Sequence, residues 1–477
     1  MTVLEGTGSA RGIGRVLISA CALVLAAGCA PPAAPGPSLG IGDAVMAGRL
    51  EGRLDALQRI ANESGGTRAA GTPGFDRSAD WVAAELGRLG YEVRFQRFQF
   101  WSFDEPAAAS LQIVESAMHF AEPADLRTMI YSASGSVTAP VVSVGFDPAA
   151  TTMDAPGCRA ADWTAFPAGA IALLGPGDCW RREQVLRAED AGAAAVIVAY
   201  PWLPAGGLRQ PTLVSPDGIR IPALVASGSA GRQLLAAAAT AASVSLSVST
   251  VVRVGETRNV LATPRSGLDG PFVLVGAHLD SVRDGPGIDD NGSGVAALLA
   301  LAEAAAGRPE AARLAYAFWG AEELGDVGSD HYVRTLDSDP RPFAYLNADM
   351  LGSPNGVAFV YDATTAPPGS AVIQRLLERE LDALGVVAEP IDLTSGSDGA
   401  PFAAAGIPMG GVFSGAGDPK TADEVRTAGG TAGIPYDPCY HLACDDRANV
   451  DSGRLLALAG AVAGVALTLA RSGSVTS

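Results

Sequence analysis

The spacing of apolar residues in the first part of the chain predicts two helices followed by a strand. Between residues 44 and 62, apolar side chains recur every three or four positions, which is the period of an amphipathic helix. Residues 78–89 share this period, and Gly90 follows as a helix stop signal. Residues 91–100 alternate between apolar and polar side chains instead, so we expect a strand there.

The pattern changes between about residues 125 and 252, where short apolar runs are separated by turn residues. Such runs are typical of buried strands. The elements predicted for this segment are strands at 140–144, 170–174, 194–199, 221–225 and 244–252 and helices at 180–191 and 230–242. Because no cluster of acidic residues and histidines falls in this segment, we expect an inserted β/α module without catalytic residues of its own.

From residue 259 onward, strand and helix patterns alternate. Strands are predicted at 272–276, 314–318 and 343–347, and an alanine-rich helix at 294–306. This alternation indicates an α/β sheet covered by helices. The last apolar run, 455–470, is uncharged, but it is short for a membrane span and rich in alanine and glycine. We therefore expect a helix that packs on the sheet.

Length and charge narrow the possible partners. The chain has 477 residues, so two or three folding units are expected, and its formal net charge is −18. A chain without a basic stripe cannot neutralise phosphates, which excludes nucleic acid and disfavours docking on anionic lipid. We expect a monomer whose contact with a membrane, if any, is through a lipid anchor.

The N-terminus predicts export. Arg11 and Arg15 precede an apolar stretch, 16–27, that is too short to span a bilayer and has the length of a signal sequence. The small residues before Cys29 resemble a lipoprotein signal, so we expect a lipidated Cys29 at the cell envelope. The alternative is an ordinary cleaved signal with a chance cysteine. The proline-rich residues that follow predict a stiff tether.

Four cysteines remain beyond the leader, and an even number in an exported chain favours disulfides over free thiols. Pairing of nearest neighbours gives Cys158–Cys179 and Cys439–Cys444.

Two of the four histidines and a set of acidic residues follow an order that suits a pair of zinc ions. We assign His278 and Asp349 to one zinc ion, Glu323 and His441 to the other, and Asp290 as the bridge. Three carboxylates and a bridging hydroxide would balance the charge of two zinc ions, and this balance favours an activated water. These residues fall at or beyond the carboxyl ends of predicted strands, where α/β sheets place their sites.

Three further side chains complete the expected chemistry. Glu322 is next to a ligand in sequence, so it can reach the bridging water and act as the general base. Asp280, two residues after His278, is expected to orient that imidazole through its other nitrogen. Tyr440 can donate a hydrogen bond to the oxyanion.

Five segments of the chain resemble the secreted bacterial leucine aminopeptidases with co-catalytic zinc. They are residues 278–282, 285–294, 319–325, 347–355 and 439–441. The resemblance extends over residues 45–125 and 255–472, and the segment between looks like a protease-associated domain. It implies a zinc-exopeptidase-like α/β fold, with a mixed central sheet flanked by helices and an inserted β/α protease-associated domain. It also implies the ligands and roles given above, and a non-proline cis peptide after Asp290.

Three positions depart from the pattern of this family. Asp289 stands where relatives often carry asparagine, and a second acid beside the bridging Asp290 adds repulsion. Gly396 and Gly399 replace an arginine and a histidine that relatives usually show. Neither of these two positions is a zinc ligand, so we expect hydrolysis to persist and substrate affinity to differ.

The expected function is that of an exported aminopeptidase that removes hydrophobic N-terminal residues from peptides. Glu322 and Asp349 are candidates for holding the free α-amine, and Phe402 and Phe413 for the walls of the first-residue pocket. The expected division is signal peptide 1–29, tether 30–43, first catalytic part 44–124, insert 125–253 and second catalytic part 254–473.

Three alternatives share this fold. A carboxypeptidase would need cationic groups for the substrate carboxylate, which the segment around Gly396 does not supply. A glutaminyl cyclase would bind a single zinc ion, so metal counting separates it. A receptor-like binding protein would be expected to have lost ligands, whereas this chain carries all five.

Overall fold

The computed structural model describes residues 41–336, 341–392 and 396–475, with side chains described from residue 48 onward. The expected signal peptide, its Cys29 and most of the tether lie outside these residues.

Ten α-helices occur in the described part of the chain. They are α1 (Ile41–Asn62), α2 (Pro73–Arg88), α3 (Arg181–Asp190), α4 (Gly228–Ala239), α5 (Gly294–Ala305), α6 (Val327–Arg334), α7 (Ser370–Ala383), α8 (Ala400–Ala404), α9 (Ala422–Ala428) and α10 (Ser452–Ser472). Helix α2 begins five residues before the predicted helix at 78–89. The reason is local, since Thr72 caps the helix by accepting a hydrogen bond from the Phe75 N–H and Pro73 suits the first turn.

The strands in the same ranges number fourteen. They are β1 (Tyr91–Ile113), β2 (Met118–Ala121), β3 (Leu126–Thr128), β4 (Gly135–Ser143), β5 (Ile171–Leu174), β6 (Ala195–Tyr200), β7 (Ala223–Ser227), β8 (Ser243–Pro264), β9 (Val273–His278), β10 (Leu314–Trp319), β11 (Ala344–Ala348), β12 (Ala358–Tyr361), β13 (Ala388–Ile391) and β14 (Met409–Phe413).

The central sheet is mixed, as the α/β fold class predicted. Its strand order is β13-β12-β14-β11-β9-β10-β8. Strands β14, β11, β9 and β10 are parallel, whereas β8 is antiparallel to β10 and β12 is antiparallel to β14. Helices α1, α2, α5, α7 and α10 bury their apolar residues in one large core with this sheet. A second aromatic core around Trp319, Tyr345 and Phe402 includes α6 and α8.

Two long strands carry the chain into the insert and back. Strands β1 and β8 pair antiparallel from Tyr91 opposite Pro264 to Ile113 opposite Val244. The predicted strand at 91–100 covers only the first part of β1, because the ladder has two register shifts between Asp104 and Ser110 and the alternation is lost there. The expected boundary between the insert and the second catalytic part, at residues 253 and 254, falls inside β8.

The insert forms its own β/α layer beside the central sheet. Strands β4, β5, β6 and β7 are parallel, and β3 and β8 close the two edges in antiparallel orientation. Its apolar residues form two cores separate from that of the central sheet. The Cys158–Cys179 disulfide lies in this insert, and Cys439 pairs with Cys444 near the C-terminal helix, both as nearest-neighbour pairing predicted.

Helix α10 satisfies the length and hydropathy expected of a membrane span, but half of its most apolar window is buried inside the protein. Leu458, Val465 and Leu469 lie in the same core as the central sheet. This placement agrees with a helix packed on the sheet, as its length and composition predicted.

Candidate active site

The five predicted ligands converge at one edge of the central sheet. His278 ends β9, Glu323 follows β10, and Asp349 follows β11. Asp290 lies in the turn that leads from β9 into α5, and His441 lies in the loop between α9 and α10. Strands β9, β10 and β11 are parallel, so their carboxyl ends bring these loops together.

The carboxylate of Asp290 lies between the two imidazoles. Its Oδ1 is 3.1 Å from His278 Nε2, and its Oδ2 is 3.2 Å from His441 Nε2. The remaining carboxylates divide between the histidines, with Asp349 Oδ1 3.3 Å from His278 Nε2 and Glu323 Oε2 3.0 Å from His441 Nε2. This is the grouping expected of two adjacent ions that share one carboxylate.

The electrostatics of this cluster favour positive charge. Burial lowers the pKa of His441, but the carboxylates of Glu323 and Asp290 outweigh it and raise this pKa to about 10. Burial opposes ionisation of Asp290, yet the two histidines hold its pKa well below the ordinary value. Asp349 Oδ1 and Glu323 Oε1 are buried and accept no hydrogen bond from the described residues. Buried oxygens without donors suit metal ligands, so this set of residues fits zinc.

Glu322 lies beside the cluster with its Oε2 3.8 Å from His278 Nε2. Burial raises the pKa of this carboxyl well above its ordinary value, His278 opposes the shift, and Asp326 adds to it. A carboxylate with a raised pKa is a stronger proton acceptor than a free one, which suits general-base work.

The role expected of Asp280 is wrong in its detail. His278 Nδ1 lies 3.1 Å from the backbone carbonyl of Asp280, while the carboxylate of that residue is 4.0 Å away. The carboxylate instead accepts hydrogen bonds from the backbone N–H groups of Glu322 and Glu323, at 3.1 and 3.4 Å. Asp280 therefore positions the pair of glutamates, because the turn after β10 brings their amides to it.

The repulsion expected from Asp289 is relieved by its orientation. Its carboxylate accepts hydrogen bonds from the Gly352 N–H at 2.8 Å and the Ser353 hydroxyl at 3.0 Å. Burial and the neighbouring Asp437 raise its pKa well above the ordinary value, which favours the neutral acid. The peptide bond between Asp290 and Asn291 is cis, as the resemblance implied.

Arg68 supports the loop that carries Asp290, and the sequence pattern had not indicated this arginine. This fully buried side chain donates hydrogen bonds to the backbone carbonyls of Leu279, Pro286 and Gly287. Burial lowers its pKa to about 10. These bonds connect the turn before α2 to the loop that joins β9 to α5.

Replacing Arg68 by methionine should lower the free energy of unfolding by about 3 kcal/mol, because three buried carbonyls lose their donor. Thermal unfolding measures the change. Arg77→Met serves as the control, since Arg77 is exposed and its nearest carboxylate is 3.6 Å away. Equal unfolding midpoints for the two variants would contradict the role given to Arg68.

Ser397 orients Asp349. Its hydroxyl donates to Asp349 Oδ2 at 2.7 Å and accepts from Asn347 Nδ2 at 2.8 Å. Tyr361 and Tyr345 hydrogen-bond to the same asparagine. A series of hydrogen bonds thus runs from Asn347 through Ser397 to Asp349 and fixes the orientation of this predicted ligand.

The variant Ser397→Ala is expected to weaken zinc binding at the Asp349 site about tenfold, as typical for loss of a hydrogen bond to a ligand. Titration against a chromophoric chelator measures the affinity. The exposed Ser266, changed to alanine, provides the matched control. If Ser397→Ala bound zinc with unchanged affinity, the hydrogen bond from Ser397 would not contribute to metal binding by Asp349.

Phe402 and Phe413, the two residues expected to form the first-residue pocket, have different environments in the structure. Phe402 is wrong as a pocket residue, because it is fully buried and stacks on Tyr345 with ring centroids 3.9 Å apart. Phe413 does line the cavity that the five predicted ligands also line. At Gly399, which departs from the family pattern, a Cβ would lie 2.2 Å from Met409 Cε, so this methionine leaves no room for a side chain there.

Tyr440 lines the same cavity, with its ring stacked on His441 at 3.8 Å between centroids. Arg209, which belongs to the insert, donates from Nε to the Tyr440 carbonyl at 2.8 Å and lies over the Tyr440 ring. Sequence reasoning missed Arg209, because a single arginine in a long loop has no local signal. The insert thus contributes a side chain to the site.

Comparison with known proteins decides the family. The model of peptidase family M28 matches residues 259–466, and that of the PA domain matches residues 137–234. An aminopeptidase of Pseudomonas aeruginosa is 38% identical over 438 residues, which span 90% of this chain and 81% of the relative. The chain belongs to peptidase family M28.

Other relatives agree with this assignment. The probable lipoprotein aminopeptidase LpqL of Mycobacterium tuberculosis is 36% identical over 88% of this chain and 84% of its own length. The aminopeptidase of Aneurinibacillus sp. strain AM-1 has the same fold, with a TM-score of 0.68 and 24% identity over 89% of this chain and 93% of that one. The prediction of a metallo-aminopeptidase with a protease-associated insert is thereby confirmed.

Proposed function

We propose that this M28 aminopeptidase uses two zinc ions held by His278, Asp290, Glu323, Asp349 and His441. The observation that carries the proposal is the geometry of Asp290, whose two oxygens face different histidines at 3.1 and 3.2 Å. A carboxylate in that position suits a bridge between two ions. A single-zinc enzyme would not need it.

The chain's own residues supply the proton transfers and the orientation. Bound zinc would polarise the scissile carbonyl and acidify a shared water. Glu322 would take the proton of that water and pass it to the leaving amine. The phenolic O–H of Tyr440 would donate to the developing oxyanion, with Arg209 holding the backbone of Tyr440 in place.

Substrate recognition follows from the charge and shape of the same cavity. Glu322 and Asp349 would hold the α-ammonium of the peptide, which restricts cleavage to a free N-terminus. Phe413 and Met350 line this end of the cavity and would favour a hydrophobic first residue. We propose peptides with such a residue as the substrates of a monomeric enzyme.

We further propose export, with attachment to the cell envelope through lipidated Cys29. The support is the leader pattern and the similarity to LpqL, which is named as a probable lipoprotein. Metabolic labelling with a palmitate analogue tests the anchor, and a Cys29→Ala variant should lose the label.

A panel of aminoacyl p-nitroanilides tests the activity. Leucine p-nitroanilide should be cleaved fastest, and Nα-acetyl-leucine p-nitroanilide should not be cleaved because its ammonium is absent. Highest turnover on aspartyl or lysyl substrates would contradict the hydrophobic preference. Cleavage of C-terminal residues, or cyclisation of N-terminal glutamine, would favour the carboxypeptidase or the cyclase instead.

A further inference from the structure

The cavity above the metal cluster is larger than one amino acid requires, and the insert forms its outer wall. Its volume is about 1070 Å³. The inner end is lined by His278, Glu322 and the other residues of the site, and the outer end by Trp180, Arg181 and Trp202. The cavity is thus continuous from the reacting centre to the insert.

The two ends of this cavity differ in charge. The catalytic side contributes six carboxylates and no arginine or lysine, whereas the insert contributes four arginines and two acids. One of these acids, Glu183, is paired with Arg187 at 3.1 Å. Arg181 and Arg182 have no carboxylate within 4 Å among the residues described. Zinc would neutralise only its own ligands, leaving the acidic Glu322, Asp326 and Asp418 on the catalytic side.

Arg181 and Arg182 are incompletely satisfied within the protein. Arg181 Nη1 reaches only the Tyr200 hydroxyl at 3.3 Å, and Arg182 Nη2 donates to the Asp217 carbonyl at 2.5 Å. The Nε atoms of both arginines are buried without a hydrogen-bond partner in the described chain. The Nε atoms are too buried for a ligand in the cavity to reach. Arg181 Nη2 and Arg182 Nη1 make no hydrogen bond within the described residues, so these are the donors from which a carboxylate can accept.

Apolar side chains surround these arginines in the same wall. Twelve large apolar side chains are exposed in the described residues, and four of them line this cavity. They are Met153 at 58%, Trp180 at 59%, Trp202 at 38% and Val214 at 42% exposure. Exposed tryptophans beside arginines are typical of surfaces that bind peptides.

The wall is held firmly over the site. Arg209 hydrogen-bonds to the Tyr440 carbonyl, and Arg127 pairs with Asp284. The loop at Val214 approaches Gly325 so closely that a Cβ there would lie 2.9 Å from Val214 Cγ1. The outer wall is therefore held by direct contacts to the part of the chain that carries the predicted ligands.

We infer that the insert binds the C-terminal carboxylate of short peptide substrates through Arg181 and Arg182, while Trp180 and Trp202 cover the residues before it. A short peptide carries an ammonium at one end and a carboxylate at the other, and this cavity has complementary charges in the same order. The inference rests on the proposed function, because it places the N-terminus at the metal site.

Kinetics on a peptide series test this assignment. Leucine followed by one to five alanines is assayed with a free and with an amidated C-terminus. In the wild type, amidation should raise KM about tenfold for at least one length, and the double variant Arg181→Gln, Arg182→Gln should abolish this difference. Trp180→Ala should raise KM for the same peptide about threefold, whereas Trp101→Ala, an exposed tryptophan outside the cavity wall, should not.

Leucine p-nitroanilide separates this inference from the proposed function. All variants should cleave it at the wild-type rate, because it has no C-terminal carboxylate, and Arg209 is left unchanged because it contacts Tyr440. Equal KM values for acids and amides at every length, or an amidation effect that persists in the double variant, would overturn the inference. The inference would also be overturned if an amidated peptide with an internal glutamate had the same KM as the free acid, because the carboxylate recognised would then not be the C-terminal one. If the wild-type protein did not cleave leucine p-nitroanilide, the proposed function would be overturned instead.

Discussion

Replacing Glu322 by glutamine is expected to lower kcat for leucine p-nitroanilide about a thousandfold. The amide has the size of the carboxylate but cannot accept the proton of the attacking water. Glu322 lies 3.8 Å from His278 Nε2, further than the predicted ligands, so its loss should leave the zinc site intact. The zinc content of the variant, measured by mass spectrometry, should equal that of the wild type.

A control variant and the zinc content together distinguish a general base from a zinc ligand at Glu322. Glu63→Gln makes the same chemical change at an exposed glutamate and should leave kcat unchanged. If Glu322→Gln retains kcat, the general-base assignment is wrong. If it loses zinc together with activity, Glu322 is a ligand and the assignment of the two adjacent glutamates must be exchanged.

The second large effect is expected at the bridge. Asp290→Asn should lower the zinc content below one ion per chain and reduce kcat/KM more than a thousandfold. Asparagine keeps the size of aspartate, but it offers one neutral oxygen where the two histidines each face a carboxylate oxygen. Loss of one bridging ligand therefore weakens both ions together.

Asp289→Asn is the matched control for this variant. It makes the identical change one residue earlier, where the carboxylate faces Gly352 and Ser353 instead of the histidines. We expect wild-type zinc content and activity, because burial already favours the neutral form of this acid. Equal damage from the two substitutions would mean that the loop, and not the bridging carboxylate, is what matters.

The convergence of the five predicted ligands at one edge of the sheet could be anticipated from the sequence, because its signals are local. His278, Glu323 and Asp349 each follow a short apolar run, and such runs formed parallel strands with a common carboxyl edge. The mixed sheet, the insert and the C-terminal helix follow from the same periodicity. Thr72 and Pro73 extend α2 beyond the apolar period, which shows that caps and not periodicity set helix ends.

What the sequence did not predict depends on distant contacts. Arg68 donates hydrogen bonds to carbonyls more than two hundred positions away in the sequence. Arg209, in the insert, donates to the carbonyl of Tyr440 in the catalytic part. Phe402 and Phe413 look alike in sequence, yet one is buried by a stacked tyrosine and the other faces the cavity. Burial of a side chain between two layers is a property of the packed structure, so no local pattern distinguishes such residues.

Zinc stoichiometry measured against activity distinguishes a two-zinc site from a one-zinc site. The protein is stripped with a chelator, zinc is added back in increments, and leucine p-nitroanilide turnover is followed. The account predicts two tightly bound zinc ions per chain and full activity only after the second equivalent. Full activity at one equivalent, with no second ion bound, would contradict the binuclear site.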